Sequence, residues 1–311
     1  MSVHRVLIVG ARRRKQGLGE FIAQYFHEQG AEICSIVGTS SHSVEEAVQH
    51  LHQQYGISTQ GYTDLATAIK QTHPTVVVIA SPTGVHRQHL ETVAAFGISC
   101  LCEKPLFWEG GTTCEPDAVE RLVDRFCDEG QLLQLVTQWP ETLDEYYSLY
   151  PEVKDQPVER FGMLLGPASS GINMAIDALP HVLSMVHCLT GVGEVQKVRS
   201  VAKNSEHLNI TFDYWHAQGR LEVAVDLIQS PKSPRPAGYT INGHEVRRSI
   251  QLPEYQMMFT DKSGNQMAVE DPLKKLVRST LADLENGKPT DKKQLIASMI
   301  DLKVLVENLQ I

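Results

Sequence analysis

Between residues 1 and 137, apolar runs of strand length recur at Val6 to Val9, Ile33 to Val37, Val76 to Ala80, Ile98 to Cys102 and Leu132 to Val136. Near-continuous hydrophobicity of this kind suits strands covered on both faces. Helical patterns lie between the runs. The clearest sets Leu18, Phe21, Ile22, Tyr25 and Phe26 into one apolar stripe, which stops at Gly30, where a helix C-terminal glycine is expected. Further helices are predicted over 43–54, 64–71, 86–96 and 115–129. Strand and helix in alternation predict a parallel sheet with helices on both faces.

After Thr137 the rhythm changes. An aromatic and Pro-rich segment, Gln138 to Val153, leads to a helix predicted over 177–189. Strand-like runs follow at 195–201, 208–214, 219–228, 238–241, 248–252 and 256–260, and helices over 272–285 and 292–308 close the chain. Consecutive strands on short connections predict a largely antiparallel sheet. The fold class is therefore α/β: a doubly wound parallel sheet over 1–137, then an α+β domain over 138–311 for substrate binding and oligomerisation.

Composition narrows the function classes. A formal net charge of −9 over 311 residues argues against a nucleic-acid or anionic-membrane partner, so the basic run Arg12-Arg13-Arg14-Lys15 needs a local explanation. The 6 cysteines lack CxxC spacing, and reduced thiols in a cytoplasmic protein are the expectation. The opening Met-Ser-Val-His-Arg runs straight into an apolar strand without the pattern of a secretory leader. No window reaches the roughly 18 apolar residues of a membrane span, and a soluble chain is expected. His50, His52, His86 and His89 lack carboxylate or Cys partners at metal-site spacing and read as surface histidines.

Candidate chemistry begins at the first strand-to-helix turn. Gly10, Gly17 and Gly19, with Leu18 between the last two, stand where a dinucleotide pyrophosphate meets backbone N–H groups and a helix N-terminus. The loop is longer than GxGxxG, and its insertion is basic. The second strand ends at Val37-Gly38-Thr39-Ser40-Ser41, without the carboxylate that an NAD enzyme usually presents to the ribose. Thr39 and Ser40 would not repel a 2'-phosphate, and Arg12 or Arg13 could pair with one, so NADP is preferred over NAD. A solvated Arg loop is the alternative.

Ala80-Ser81-Pro82, then Thr83 and His86, then Glu103-Lys104-Pro105 resemble, in order and spacing, the fourth and fifth strands of the Gfo/Idh/MocA oxidoreductases, the glucose-fructose oxidoreductase and inositol dehydrogenase family. The resemblance covers 1–137 closely and extends to the closing helices by overall pattern. It implies a Rossmann domain, an NAD(P)-dependent hydride transfer to or from a small hydroxyl or carbonyl substrate such as a sugar or polyol, and a cis Lys104–Pro105 peptide. It adds Ser81, Pro82, Thr83, His86, Glu103, Lys104 and Gln138 to the cofactor contacts. A strand end at the carboxyl edge of a parallel sheet faces the cofactor crevice, which agrees with Lys104 beside the nicotinamide.

Asp177 and His181 are four residues apart and share one face of a helix. The resemblance implies that His181 exchanges a proton with the reacting hydroxyl, that Asp177 holds a neighbouring one, and that Lys104 assists. An ordinary histidine pKa of about 6.5 suits that role. Leu179-Pro180 before His181 departs from the family pattern, which commonly has glycine between the two, and Thr83 and Gln138-Trp139-Pro140 replace common polar anchors. These departures keep open a catalytically inactive cofactor-binding sensor on the same fold, and redox-assisted glycoside cleavage is neither supported nor excluded. A homodimer or homotetramer through the C-terminal sheet is expected, since antiparallel sheets often cover one face only.

Overall fold

The computed structural model describes residues 4–11, 17–108, 115–251 and 255–310. The chain divides into two compact units: Met1–Val136 with Leu273–Leu295, and Thr137–Pro272 with Ile296–Ile311. In the first, β1 (Arg5–Val9), β2 (Glu32–Val37), β3 (Gln60–Tyr62), β4 (Val76–Ile79), β5 (Ser99–Glu103) and β6 (Leu133–Val136) form one sheet in the order β3-β2-β1-β4-β5-β6. Every pairing in it is parallel. Five helices connect the strands: α1 (Gly19–Glu28), α2 (Ser41–Tyr55), α3 (Leu65–Thr72), α4 (His86–Ala95) and α5 (Pro116–Asp128). This is the doubly wound architecture, with the strand order reversing at β1 and β4, where a ligand crevice opens.

The predicted stripe on α1 is the face that packs. Ile22, Ala23 and Phe26 are buried beside Val6, Ile8 and Ile33, while Leu18, Phe21 and Tyr25 flank them partly buried. The short β3 escapes prediction because its residues, Gln60-Gly61-Tyr62, carry no apolar run.

The division of the chain differs from the pattern-based boundary. The sequence assigns 138–311 to one domain, yet Leu273, Leu276, Val277 and Leu281 of α8 (Pro272–Glu285) are buried in the first unit's core with Ile22 and Phe26. A buried Leu or Val contributes roughly 1.5–3 kcal/mol, so this apolar face holds the helix there. Thr290 reinforces the attachment, accepting from the Leu133 amide and donating to the Gln131 carbonyl, both at 2.7 Å.

The second unit contains α6 (Leu143–Leu149), α7 (Ile172–Thr190) and an eight-stranded sheet. Its strands are β7 (Arg160–Leu165), β8 (Gly193–Asn204), β9 (His207–His216), β10 (Gly219–Ile228), β11 (Ala237–Ile241), β12 (His244–Gln251), β13 (Gln256–Asp261) and β14 (Gln266–Val269), in the order β14-β13-β12-β11-β7-β10-β9-β8. All neighbours are antiparallel except β7 and β10. Strands β7 and β14 are absent from the pattern-based reading; β7 nevertheless occupies the middle of the sheet.

Alternation is clean on β9 and β10. Leu208, Ile210, Phe212, Tyr214, Leu221, Val223, Val225 and Leu227 point inward and are buried, with Asn209, Thr211, Asp213, Glu222, Ala224 and Asp226 between them on the other face. The final helix, α9 (Lys292–Glu307), contributes Asp301 to the second unit's interior, where its Oδ2 lies 2.9 Å from His187 Nε2 and accepts from the Tyr214 hydroxyl at 3.3 Å.

The helix predicted over 177–189 begins earlier, at Ile172, where Gly171 turns the chain with φ of 59°. Pro180 sits inside it. Lacking an N–H, Pro180 gives no donor to the carbonyl one turn back, a local cost that the buried apolar face of the helix outweighs. This helix is also long and apolar enough to cross a membrane by length and composition, contrary to the sequence expectation. Met174, Ala175, Leu179, Val182, Leu183 and Val186 are nevertheless buried inside the unit, as in the core helix of a globular protein.

Candidate active site

At the end of β1, Gly10 has φ of 88°, and a Cβ there would lie 2.7 Å from the Ala80 carbonyl oxygen at the end of β4. A Cβ on Gly19 would come within 2.5 Å of the Gly10 carbonyl oxygen. Both glycines are thus required by close backbone approach, which brings the start of α1 against the end of β1. Leu18 caps α1 without a side-chain hydrogen bond. The Leu18 side chain thus leaves the first amides of the helix to other partners, and exposed amides at a helix start are the chemistry an anion uses. Gly17 enters this turn, whereas Arg12 and Arg13 lie outside the described residues.

Across the crevice, β2 ends at Val37 and is followed by Thr39 and Ser40. The Ser40 hydroxyl accepts from the Ser43 amide at 3.2 Å and the Ser43 hydroxyl accepts from the Ser40 amide, a reciprocal cap on α2. Ser40 is thus committed to its own helix, and no carboxylate occurs from Gly38 to Val44.

β4 and β5 are neighbours in the sheet, so Ser81-Pro82-Thr83 and Glu103-Lys104 leave the same edge as Gly10. The Lys104–Pro105 peptide is cis, as the resemblance implies. Leu106, Phe107 and Trp108 follow it and are buried, anchoring the segment behind Lys104.

His86 behaves differently from the reading of it as a surface residue and cofactor contact. It is 1% exposed, with Nε2 at 2.6 Å from the Ser81 carbonyl and Nδ1 at 3.1 Å from the Pro105 carbonyl. A neutral imidazole has one N–H, so the ring donates to one of these carbonyls and lies against the other, between the ends of β4 and β5. His89 lies 3.1 Å from the Ser81 hydroxyl. His50 approaches Glu20 at 2.9 Å, and the Tyr55 hydroxyl donates to the same carboxylate oxygen at 2.8 Å. Among the described residues no cluster has the ligands for a metal ion.

In the second unit Asp177 and His181 lie one turn apart on α7, on its half-buried side, as their spacing predicts. Gln138, predicted to contact the cofactor, groups with this unit; its Oε1 is buried and finds no hydrogen-bond partner among the described residues. Beside it in sequence, Trp139 is buried edge-on to Tyr239, with ring centroids 6.2 Å apart, and the Arg248 guanidinium sits 5.6 Å from the Trp139 ring centre.

Two residues near this face go unnoticed in the sequence reading, Arg235 and Arg248. Burial lowers the pKa of the Arg235 guanidinium, and the Asp177 carboxylate opposes that by favouring its charged form. No local motif marks Arg235, which stands in a Pro- and Ser-rich loop that reads only as a turn.

Residues 4–136 match the model of the oxidoreductase family with an NAD-binding Rossmann fold. No curated protein matches the chain in sequence. Solved structures share the fold across nearly the whole length at low identity. The scyllo-inositol dehydrogenase of Lactobacillus casei, bound to NAD(H) and scyllo-inositol, is 14% identical with a TM-score of 0.72, over 98% of this chain and 96% of that one. UDP-N-acetylglucosamine 3-dehydrogenase from Acidithiobacillus ferrooxidans is 14% identical with a TM-score of 0.71, over 99% and 100%. The WlbA dehydrogenase of Thermus thermophilus, in complex with NAD and UDP-GlcNAcA, is 13% identical with a TM-score of 0.69, over 99% and 96%.

Proposed function

We propose that this chain, whose N-terminal domain is that of the Gfo/Idh/MocA oxidoreductases with an NAD-binding Rossmann fold, is a dehydrogenase or reductase of a small hydroxyl- or carbonyl-bearing metabolite related to sugars and polyols. The carrying observation is the paired glycine cradle, in which Gly10 and Gly19 leave no room for a Cβ at the uncapped start of α1. That cradle suits a pyrophosphate. Gly10, Gly17, Leu18 and Gly19 would hold the dinucleotide, with Ser81, Pro82, Thr83, Glu103 and Lys104 at the same sheet edge and Gln138 from the second unit.

When bound, the nicotinamide supplies hydride exchange, and the chain's own residues handle the proton. His181 takes the hydroxyl proton during oxidation and returns it during reduction. Lys104 donates a hydrogen bond to the reacting oxygen, and Asp177 accepts one from a neighbouring substrate hydroxyl. His86 acts at a remove, fixing the turn that carries Lys104.

NADP is the proposed preference. The end of β2 offers Thr39 and Ser40 in place of a carboxylate, and a neutral end does not repel a 2'-phosphate. Cytoplasmic location and assembly as a homodimer or homotetramer, through the outward face of the second sheet, complete the proposal. Calorimetric titration with NADPH and NADH tests it: saturable binding, tighter for NADPH, is the expected result. Failure of both to bind overturns the dehydrogenase reading, and tighter NADH binding overturns the cofactor preference alone.

A further inference from the structure

The loop between β10 and β11 is fastened to the segment that leads into α7. Gln229 Nε2 donates to the Ala168 carbonyl at 2.9 Å, and the Ser230 amide donates to the Pro167 carbonyl at 2.7 Å. Gly166 approaches Pro236 so closely that a Cβ would lie 2.7 Å from the proline ring. Ala237 then pairs with Leu165 as β11 begins. The residue held by these contacts is Arg235, and α7 carries Asp177 and His181.

Arg248, on β12, reinforces the arrangement from below. Its Nη2 donates to the Arg235 backbone carbonyl at 2.7 Å, while its guanidinium lies against the Trp139 ring. The Arg235 charge also disfavours the charged form of Arg248. The Nε atoms of both are buried and find no hydrogen-bond partner among the described residues. Burial lowers the pKa of each, Asp177 opposes this at Arg235, and Tyr255 opposes it at Arg248.

Arg235 is half-buried with its Nε enclosed, so its partial desolvation is offset only where an anion reaches the guanidinium. Asp177 offsets part of it at Arg235. An acidic group on a ligand would offset the rest, meeting the planar fork of Arg235 with two parallel hydrogen bonds.

We propose that the substrate carries an anionic group, a carboxylate or a phosphate, which Arg235 binds while Arg248 positions the Arg235 loop and adds positive charge. This deepens the dehydrogenase reading and rests on it. Arg235 becomes the residue that distinguishes an acidic sugar or polyol derivative from its neutral counterpart. Asp177 remains for the hydroxyl side of the same molecule.

The test uses the full chain loaded with whichever of NADPH or NADH binds it. Glucose, glucuronate and glucose 6-phosphate are titrated separately by calorimetry, at low salt. At least one of the two anions should bind about tenfold to a hundredfold more tightly than glucose, the range of a charge-assisted hydrogen-bond pair. The preferred anion distinguishes carboxylate from phosphate. Arg235→Gln should abolish the preference, Arg235→Lys should restore part of it, and Arg248→Gln should weaken it, with cofactor affinity unchanged in all three. Circular dichroism of each variant separates loss of fold from loss of recognition. Equal or tighter binding of glucose, absence of saturable binding by both anions, or a preference that survives Arg235→Gln overturns the inference. Cofactor binding without anion preference sinks this inference alone, whereas absence of cofactor binding sinks the reading beneath it.

Discussion

His86 Nε2 lies 2.6 Å from the carbonyl oxygen of Ser81, joining the first turn of α4 to the end of β4. Because Nδ1 of the same ring reaches the Pro105 carbonyl at 3.1 Å, one buried imidazole links the strand ends on either side of Lys104. The proposed role of the Lys104 ammonium needs a fixed supporting turn, and His86 holds that turn within the first unit.

The His86 contacts carry a pH dependence. Burial is the largest influence on His86 and takes its pKa below the ordinary 6.5, against the carbonyls of Ser81, Pro105 and Leu106, which favour the cation. Burial shifts His89 in the same direction. Below 6.5 the unfolded chain therefore binds more protons than the folded one at these sites. Their contribution is fully present above that pH and is lost as pH falls, by at most about 1.4 kcal/mol per pH unit for each group. Urea unfolding at about pH 7.5 and about pH 5.5 should show a smaller loss for His89→Gln than for the unaltered chain. An identical loss in both would contradict the assignment.

Gly10→Ala places a methyl group 2.7 Å from the Ala80 carbonyl oxygen at a φ of 88°. The expected cost is about 1–3 kcal/mol of stability. Because the same turn would cradle the pyrophosphate, weaker cofactor binding should accompany it. Thermal unfolding and calorimetric titration read the two effects separately.

Lys104→Ala and His181→Asn should each lower kcat by about 10²–10⁴. Cofactor affinity should fall far less than turnover, because neither substitution touches the glycine cradle that would hold the pyrophosphate. Stopped-flow measurement of hydride transfer, with cofactor dissociation constants measured alongside, checks both halves. Unchanged turnover in Lys104→Ala would remove that residue from the mechanism.

Asp301→Ala tests the second unit's core. Asp301 Oδ2 lies 2.9 Å from His187 Nε2 and accepts from the Tyr214 hydroxyl at 3.3 Å, and both side chains of the His187–Asp301 pair are at most 5% exposed. Deleting the carboxylate strands two buried partners at a cost of about 3–5 kcal/mol, visible in the urea midpoint. Cofactor binding, which the proposal rests on the glycine cradle of the first unit, should be spared.

The amino-acid sequence by itself determined most strands and helices of the first unit and marked candidate residues at their ends. Uninterrupted apolar runs such as Val76 to Ile79 suit strands covered on both faces, and Gly10, Glu103-Lys104-Pro105, Asp177 and His181 stand out within single elements as candidate site residues. Such signals are local, so a linear reading captures them. Tertiary structure alone decided which distant segments share a core. It placed Leu276 and Val277 beside Phe26, buried His86 between the ends of β4 and β5, paired β7 with β10, and fastened Arg235 to the segment that leads into α7. Each depends on pairing or packing between residues far apart in the chain, and hydrophobic periodicity records only that a face must be covered, never which segment will cover it.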